Sequence, residues 1–222
     1  EVANTVDYYA EKERQYATLE PGKEEDARNQ LRDLLRIPEN KSLDHAHRFG
    51  MDAGWYRYAL ETTDGFFIPV LIKPPATSNG EFVMVDHTEG KANVAHAKLQ
   101  EWERAGKGIC LVDFWGLGES GSAEAQKKTG SHLPTFHTLS RSLMWLGQTM
   151  QGVWVREMEV VADWLEEEFA ATEIQMYASK DLALSSLFFN ALNPDLISRL
   201  TLEDVPVSYT FGPDITDGFF TM

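Results

Sequence analysis

Short apolar runs that alternate with helical segments are the feature that most constrains the fold of this 222-residue chain. Four runs are apolar at their centres and too short for helices: EFVMVDH, KGICLVDFW, EIQMYA and SRLTLED. The helical stretches between them are NVAHAKLQEWERAG, residues 135–169 with a break at Gly147 or Gly152, and DLALSSLFFNAL. Strands that are apolar on both faces and separated by helices predict a parallel sheet covered on both sides.

The N-terminal part adds a helical arm and a hairpin to this pattern. EEDARNQLRDLLRI has helical periodicity, with Leu31, Leu34 and Leu35 on one side. GWYRYALETTDGFFIPVLIKPP contains two strand-like runs joined by Thr-Asp-Gly, which is typical of a β-hairpin. We therefore expect a helical arm over residues 1–40 and one three-layer α/β domain over residues 41–222, mostly parallel with an N-terminal antiparallel hairpin.

Composition excludes several classes of function. The net charge of −15 and the pI near 4.8 argue against nucleic-acid binding, because phosphate contacts need clustered Lys and Arg. No apolar run approaches the ~20 residues that cross a bilayer, so we expect no membrane span. The chain begins with Glu1 and shows no signal peptide, which leaves both a processed secreted or periplasmic protein and a cytoplasmic protein open.

Neither a metal nor a cofactor is expected from the residues. The pair His45 and His47 offers two imidazoles on one strand, but no acidic or cysteine partner lies at a diagnostic spacing. The single cysteine, Cys110, lies within an apolar run, which favours a buried thiol over a nucleophile.

Parallel sheets bind ligands at the carboxyl ends of their strands, so the loops there carry the candidate sites. The loop after the first parallel strand reads DHTEGKAN and supplies His87, Thr88, Glu89 and Gly90. In an acyl-transfer enzyme its backbone N–H groups would stabilise an oxyanion, with Gly90 allowing a close approach of the chain. The alternative is a strand-to-helix turn in which Gly90 only relieves strain, and the sequence leaves both open.

The loop after the second parallel strand reads DFWGLGESGS and is rich in glycine. It lacks the third glycine of a dinucleotide fingerprint and the lysine of a P-loop. Glu119 beside the glycines would also repel a phosphate. A nucleotide-binding domain is therefore the least favoured of three hypotheses.

Three stretches resemble α/β-hydrolases, in particular the bacterial acetyl xylan esterase-like and dienelactone hydrolase-like proteins. They are LVDFWGLGESGS, SRSLMWLGQTMQGVWVREMEVVADWLEEE and EIQMYASKDLALSSLFFNALNPDLISRLTLED, and the resemblance covers about residues 25–210. It implies an esterase-type fold, with a Ser-His-Asp triad in active members. It also implies that the D-x-x-G-x-G-x-S turn shapes the edge of the sheet and carries no chemistry.

The resemblance places the nucleophile elbow at IQMYASKDLA, and the elbow departs from the family pattern. Active members have a serine between two small residues, because the strained turn tolerates no bulk on either side. In this register Ala178 is the first small residue, Lys180 stands in place of the serine, and Leu182 stands in place of a glycine. The resemblance therefore implies a degenerate elbow.

Three residues remain as elbow candidates for a nucleophile. A shift by one residue makes Asp181 the nucleophile, and a carboxylate can attack to give an ester intermediate. Ser179 is the second, although its neighbours would crowd it. Lys180 would act only if burial depressed its pKa. A purely structural turn is the fourth possibility.

The histidine of the triad also departs from the family pattern. In the family, the acid and the histidine follow the nucleophile in the sequence. All six histidines of this chain precede the elbow. Our first hypothesis is thus an esterase-type α/β-hydrolase fold that is catalytically degenerate or a fragment, with a binding or structural role. The alternative is an active hydrolase of small esters or glycans that uses Asp181 or Ser179, with the remaining groups from another segment or subunit.

Because the later strands of the fold are missing, we expect SRLTLED to expose a sheet edge that a partner chain, a second copy or the chain's own tail covers.

Overall fold

The structure is a computed structural model that describes residues 23–121 and 136–205. Its strands are β1 Leu43–Asp52, β2 Trp55–Thr62, β3 Phe67–Lys73, β4 Glu81–Asp86, β5 Gly108–Val112, β6 Glu173–Ser179 and β7 Ile197–Glu203. Its α-helices are α1 Glu24–Leu35, α2 His96–Arg104, α3 His137–Trp145, α4 Met150–Phe169 and α5 Lys180–Leu192. Short 3₁₀ turns span Lys91–Asn93 and Gly118–Ser120.

All seven strands form one mixed sheet in the order β1-β2-β3-β5-β4-β6-β7. The first three strands and β5 pair antiparallel, whereas β5, β4, β6 and β7 pair parallel. The α/β class, the predicted hairpin β2–β3 and the four parallel strands are therefore confirmed. Strand β1 was not counted in the predicted sheet, although His45 and His47 were assigned to a strand, because its run LDHAHRFGMD is mostly polar and largely exposed.

Helices cover the parallel part of the sheet on both faces, as right-handed crossovers require. The larger core contains buried residues of α4 and α5 together with Phe82, Met84, Cys110 and Met176 of the sheet. The smaller core lies on the other face, where Leu99 and Trp102 of α2 pack on Val83, Val85 and Tyr177. Within the described residues, no helix has both the length and the apolar character that a membrane span needs.

The arm helix α1 is held against α4 by a close backbone approach. A Cβ built on Gly152 would lie 2.0 Å from the carbonyl oxygen of Leu35, which also accepts a hydrogen bond from the Thr149 hydroxyl. Gly152 is therefore a contact inside α4, and the helix break lies at Gly147, whose φ is +75°. Of the two glycines at which the sequence allowed a break in the helix, the break is at Gly147.

Two details of the predicted helices are wrong. Leu34 is 73% exposed although its periodicity grouped it with Leu35, because the face of α1 that packs on the body is the one that carries Leu31 and Leu35, four positions apart. Helix α2 begins only at His96, since a 3₁₀ turn and an extended Ala95 precede it. The boundary between a 1–40 arm and a 41–222 domain stays a prediction, and residues 1–22 lie outside the described residues.

Strand β4 is the point at which the strand order reverses. The chain leaves β4 toward β5 on one side, and β6 leads to β7 on the other side. The loops that follow β4 and β6 therefore flank a topological switch point, where α/β sheets bind their ligands. Strand β7 is the outermost strand at this side of the described sheet, and what covers its edge stays a prediction.

Candidate functional site

The turn between β6 and α5 has a strained backbone at one residue. Strand β6 ends at Ser179, α5 begins at Lys180, and the φ of Lys180 is +54°. A non-glycine residue in this region costs about 1 kcal/mol or more, and such strain concentrates at functional turns. The turn thus has the sharp strand-to-helix form of an elbow, with Lys180 at its apex.

The side chain of Lys180 is bound by the loop after β4. Its Nζ lies 2.6 Å from Oε1 of Glu89, and both side chains remain substantially exposed. The hydrogen bond to Glu89 raises the pKa of Lys180 above its ordinary value, and the same bond lowers the pKa of Glu89. Lys180 is therefore an ammonium at neutral pH and has no lone pair with which to attack a carbonyl.

Ser179 and Asp181 lie on either side of the apex. Ser179 is 5% exposed, and its Oγ is buried without a hydrogen-bond partner among the described residues. Asp181 is half-buried in the first turn of α5, where the helix dipole favours a negative charge. Neither side chain occupies the apex that Lys180 holds.

Thr88 joins the loop after β4 to the elbow. Its hydroxyl donates to the carbonyl oxygen of Ser179 at 2.7 Å and accepts from the backbone N–H of Leu182 at 3.3 Å. This one hydroxyl therefore links the end of β6 to the first turn of α5. The backbone N–H of Leu182 is thus already hydrogen-bonded within the protein.

His87 completes this side of the site together with residues from β6 and β7. Burial lowers the pKa of His87, although the nearby Glu89 acts against this shift. Next to it, the hydroxyl of Tyr177 donates to Glu203 at the end of β7, and burial is the main cause of the raised pKa of Tyr177. The structure therefore brings His87, Thr88 and Glu89 to the elbow, as the sheet order requires.

The glycine-rich loop after β5 is organised around one buried carboxylate. Asp113 is 2% exposed, and its oxygens accept from the backbone N–H and the Nζ of Lys91, both at 2.6 Å, and from the N–H of Glu119 at 2.9 Å. A Cβ on Gly118 would lie 2.2–2.3 Å from this carboxylate. The carboxylate already accepts from the backbone N–H groups of Lys91 and Glu119, which agrees with a structural role for the turn.

Gly90 makes its close approach to this same loop. Its φ is +90°, and a Cβ there would lie 2.8 Å from the Cα of Gly118 and 3.3 Å from Oδ1 of Asp113. The glycine therefore lets the loops after β4 and β5 pack together. Its predicted role toward a substrate stays a prediction.

The two strand histidines are engaged with one carboxylate and with each other. Nε2 of His47 lies 2.6 Å from Glu61, and the rings of His45 and His47 are 4.5 Å apart. No cluster of three or more potential metal ligands occurs in residues 23–121 and 136–205.

Comparisons with solved structures support the architecture. Two similar structures are a candidate acetyl xylan esterase from Bacteroides fragilis NCTC 9343, with a TM-score of 0.62, and acetyl xylan esterase 1 from Thermoanaerobacterium sp. JW/SL YS485, with a TM-score of 0.52. The chain has an α/β-hydrolase fold. Sequence identities are 14% and 13%, with 82% and 81% of this chain covered.

The match covers only part of each of the two known structures. This α/β-hydrolase-fold chain spans 54% and 57% of their lengths, or about half of each. No protein-family model matches the sequence, and no curated protein matches it either. The comparisons therefore support the fold that the elbow and the glycine-rich turn imply.

Sequence patterns did not reveal two parts of the site. The partner of Lys180 was not predicted, although Glu89 lay in a candidate loop, because nothing in a sequence joins residues that are 91 positions apart. The burial of Asp86 was also missed, since an acidic residue at the end of an apolar run is usually a solvated strand end. A charged residue that closes an otherwise apolar strand was the only available signal.

Proposed function

We propose that this chain is an esterase-type α/β-hydrolase-fold domain whose elbow is catalytically silent and which serves in binding or in structure. The observation that carries the proposal is the ammonium of Lys180 at the apex of the elbow, bound by Glu89 at 2.6 Å. A nucleophile at this apex must present a lone pair to a substrate carbonyl. A protonated lysine presents positive charge instead.

The neighbouring candidates support the same proposal. The Oγ of Ser179 is buried at the end of β6, and a substrate carbonyl would have to enter the interior to reach it. Asp181 follows the apex in α5, so its carboxylate leaves the turn in a different direction from the apex side chain.

A covalent probe tests the proposal directly. We expect the intact mass of the 222-residue chain to stay unchanged after treatment with a fluorophosphonate, and we expect no hydrolysis of aryl acetates above background. An adduct mapped to Ser179 would contradict silence and favour the alternative, an active hydrolase with an unusual nucleophile. A covalent ester intermediate on Asp181, trapped and located by mass spectrometry, would do the same.

Cysteine placement tests the geometry on which the proposal depends. In Lys180→Cys the new thiol lies at the exposed apex, so we expect rapid alkylation by iodoacetamide in the native protein. The matched variant Ser179→Cys places the thiol one residue earlier in a buried position, where we expect alkylation only in urea. The natural Cys110 is buried and provides an internal reference in both variants. Equal labelling of the two positions would show that the elbow is not at Lys180.

A further inference from the structure

Asp86 is a fully buried ionisable group that the elbow chemistry does not use. It ends β4, is 0% exposed, and lies in register with Val112 of β5 and Ala178 of β6, which are both apolar. One of its oxygens, Oδ1, has no hydrogen-bond partner among the described residues. An ionised carboxylate at this position loses its hydrogen bonds to water and gains few from the protein in exchange.

The other oxygen of Asp86 contacts the helix that follows the elbow. Oδ2 lies 3.1 Å from Oγ of Ser186, and the same Oγ lies 2.8 Å from the carbonyl oxygen of Leu182. The hydroxyl of Ser186 has a single proton, and both neighbouring oxygens are acceptors if Asp86 is ionised. One of the two contacts would then bring two oxygens together without a proton between them.

Protonation of Asp86 resolves this conflict. A neutral carboxyl donates its proton to Oγ of Ser186, and the hydroxyl of Ser186 then donates to the carbonyl oxygen of Leu182. Both contacts become hydrogen bonds, and the orphaned Oδ1 is a neutral carbonyl oxygen rather than half of a buried anion. The proton count therefore favours the acid over the carboxylate.

The surroundings of Asp86 offer no compensating charge. Cys110 of β5 is the titratable group that interacts with it electrostatically, and its thiol pKa is raised by burial and by Asp86. From α5 it meets the hydroxyl of Ser186, whose neighbour Ser185 is bonded in turn to Gln151 of α4. The groups that these contacts bring to Asp86 are thus neutral, and burial and the Ser186 hydrogen bond are the influences on its pKa among the described residues.

We infer that Asp86 is a buried carboxylic acid that the fold keeps protonated, and that its proton bonds the end of β4 to α5 and so makes the seating of the elbow helix depend on pH. Burial raises the pKa of Asp86 to about 8. The unfolded pKa is near 3.8, so the folded chain holds one more proton than the unfolded chain between these two values. This contribution to stability is complete below the lower pKa and is lost progressively as the pH rises to the higher one.

Equilibrium unfolding in urea at about pH 5, 6 and 7 tests the inference on the full chain, with Asp86→Asn as the variant. An amide nitrogen donates to Ser186 in place of the acid but does not titrate. We expect the folding equilibrium constant of the wild type, divided by that of Asp86→Asn, to fall about tenfold per pH unit. The exposed control Asp44→Asn should leave the pH dependence of the wild type unchanged. Equal pH dependence of wild type and Asp86→Asn would overturn the inference.

Carbon-13 NMR of the wild type labelled at aspartate carboxyls gives a readout that does not need the variant to fold. We expect one aspartate carboxyl to keep the chemical shift of a neutral acid at neutral pH, where the others are ionised. If every aspartate carboxyl titrates near its ordinary pKa, Asp86 is a carboxylate in the fold and the inference is wrong.

Discussion

The loop after β5 and the elbow after β6 lie at the same end of one sheet, yet they are stabilised in opposite ways. The loop after β5 meets its steric demands with glycine and surrounds one buried carboxylate with three donors. The elbow has a positive φ at a lysine and one exposed ion pair. The first is a well-satisfied buried network, whereas the second is a sharp strand-to-helix turn whose apex side chain lies at the surface.

This difference shows how burial decides what a substitution costs in each of the two regions. Buried polar networks are costly to disturb, because every group left without a partner loses its solvation. An exposed apex can change its side chain at a small cost in stability, because water replaces the lost partner. We therefore expect the glycine-rich loop to tolerate fewer substitutions than the exposed apex of the elbow.

The largest expected effect is that of Gly118→Ala in the loop after β5. The new Cβ would lie 2.2–2.3 Å from the carboxylate of Asp113, in a backbone with φ of +46°. We expect a loss of about 3 kcal/mol or more in the free energy of unfolding, measured in urea. Gly106→Ala is the matched control, because its φ is +75° but its Cβ meets nothing within 4 Å, so only the strain of about 1 kcal/mol remains. Similar losses in the two variants would mean that the contact with Asp113 contributes nothing.

Asp113→Asn should come next, since it removes a charge from a buried pair. The side chain of Lys91 is 9% exposed, and within residues 23–121 and 136–205 it would keep only the exposed Glu119 as an ionic partner. We expect a loss of about 3 kcal/mol in the free energy of unfolding. Glu103→Gln breaks the half-exposed pair with Lys73 and should cost less than about 1 kcal/mol. If the two substitutions cost the same, the loop after β5 is not the network that the contacts indicate.

The elbow should respond far less. Lys180→Gly relieves the backbone strain of the positive φ, which stabilises the fold. It also removes an exposed ion pair and gives the unfolded chain more conformational entropy, and both changes destabilise the fold. These terms oppose each other, so we expect a change within about 1 kcal/mol in the free energy of unfolding. A double-mutant cycle with Glu89→Ala should give a coupling below about 1 kcal/mol. A coupling of several kcal/mol would place the elbow among the buried networks and remove the contrast.

The smallest effect is electrostatic. Because Lys180 lowers the pKa of Glu89, this carboxylate adds stability above its unfolded pKa and loses it as the pH falls through the folded pKa. In Lys180→Gln we expect the pKa of Glu89 to rise toward its ordinary value, as followed by carbon-13 NMR of the side-chain carboxyl. An unchanged pKa would indicate that the ion pair does not persist in solution.

The sequence predicted the parallel strands because uniformly apolar runs have few other places in a fold. It also predicted the hairpin β2–β3 from its turn, and the resemblance placed the elbow within residues 174–183. It did not count β1 in the sheet, because that run is mostly polar and exposed, and it misjudged Leu34, whose periodicity did not say how much of the helix surface the body covers. Periodicity reports which residues share a face, but not what lies opposite that face.

By itself, the sequence determined the α/β-hydrolase fold, the place of the elbow and the lysine that stands there, because local patterns and side-chain identity are properties of the chain. Only the tertiary structure decided that Glu89 binds Lys180, that Asp113 organises the glycine-rich loop, and that Asp86 is buried against Ser186. These contacts join residues 22 to 100 positions apart. Their energies depend on burial and on the direction of each donor, and both are set only when the strands and helices pack together.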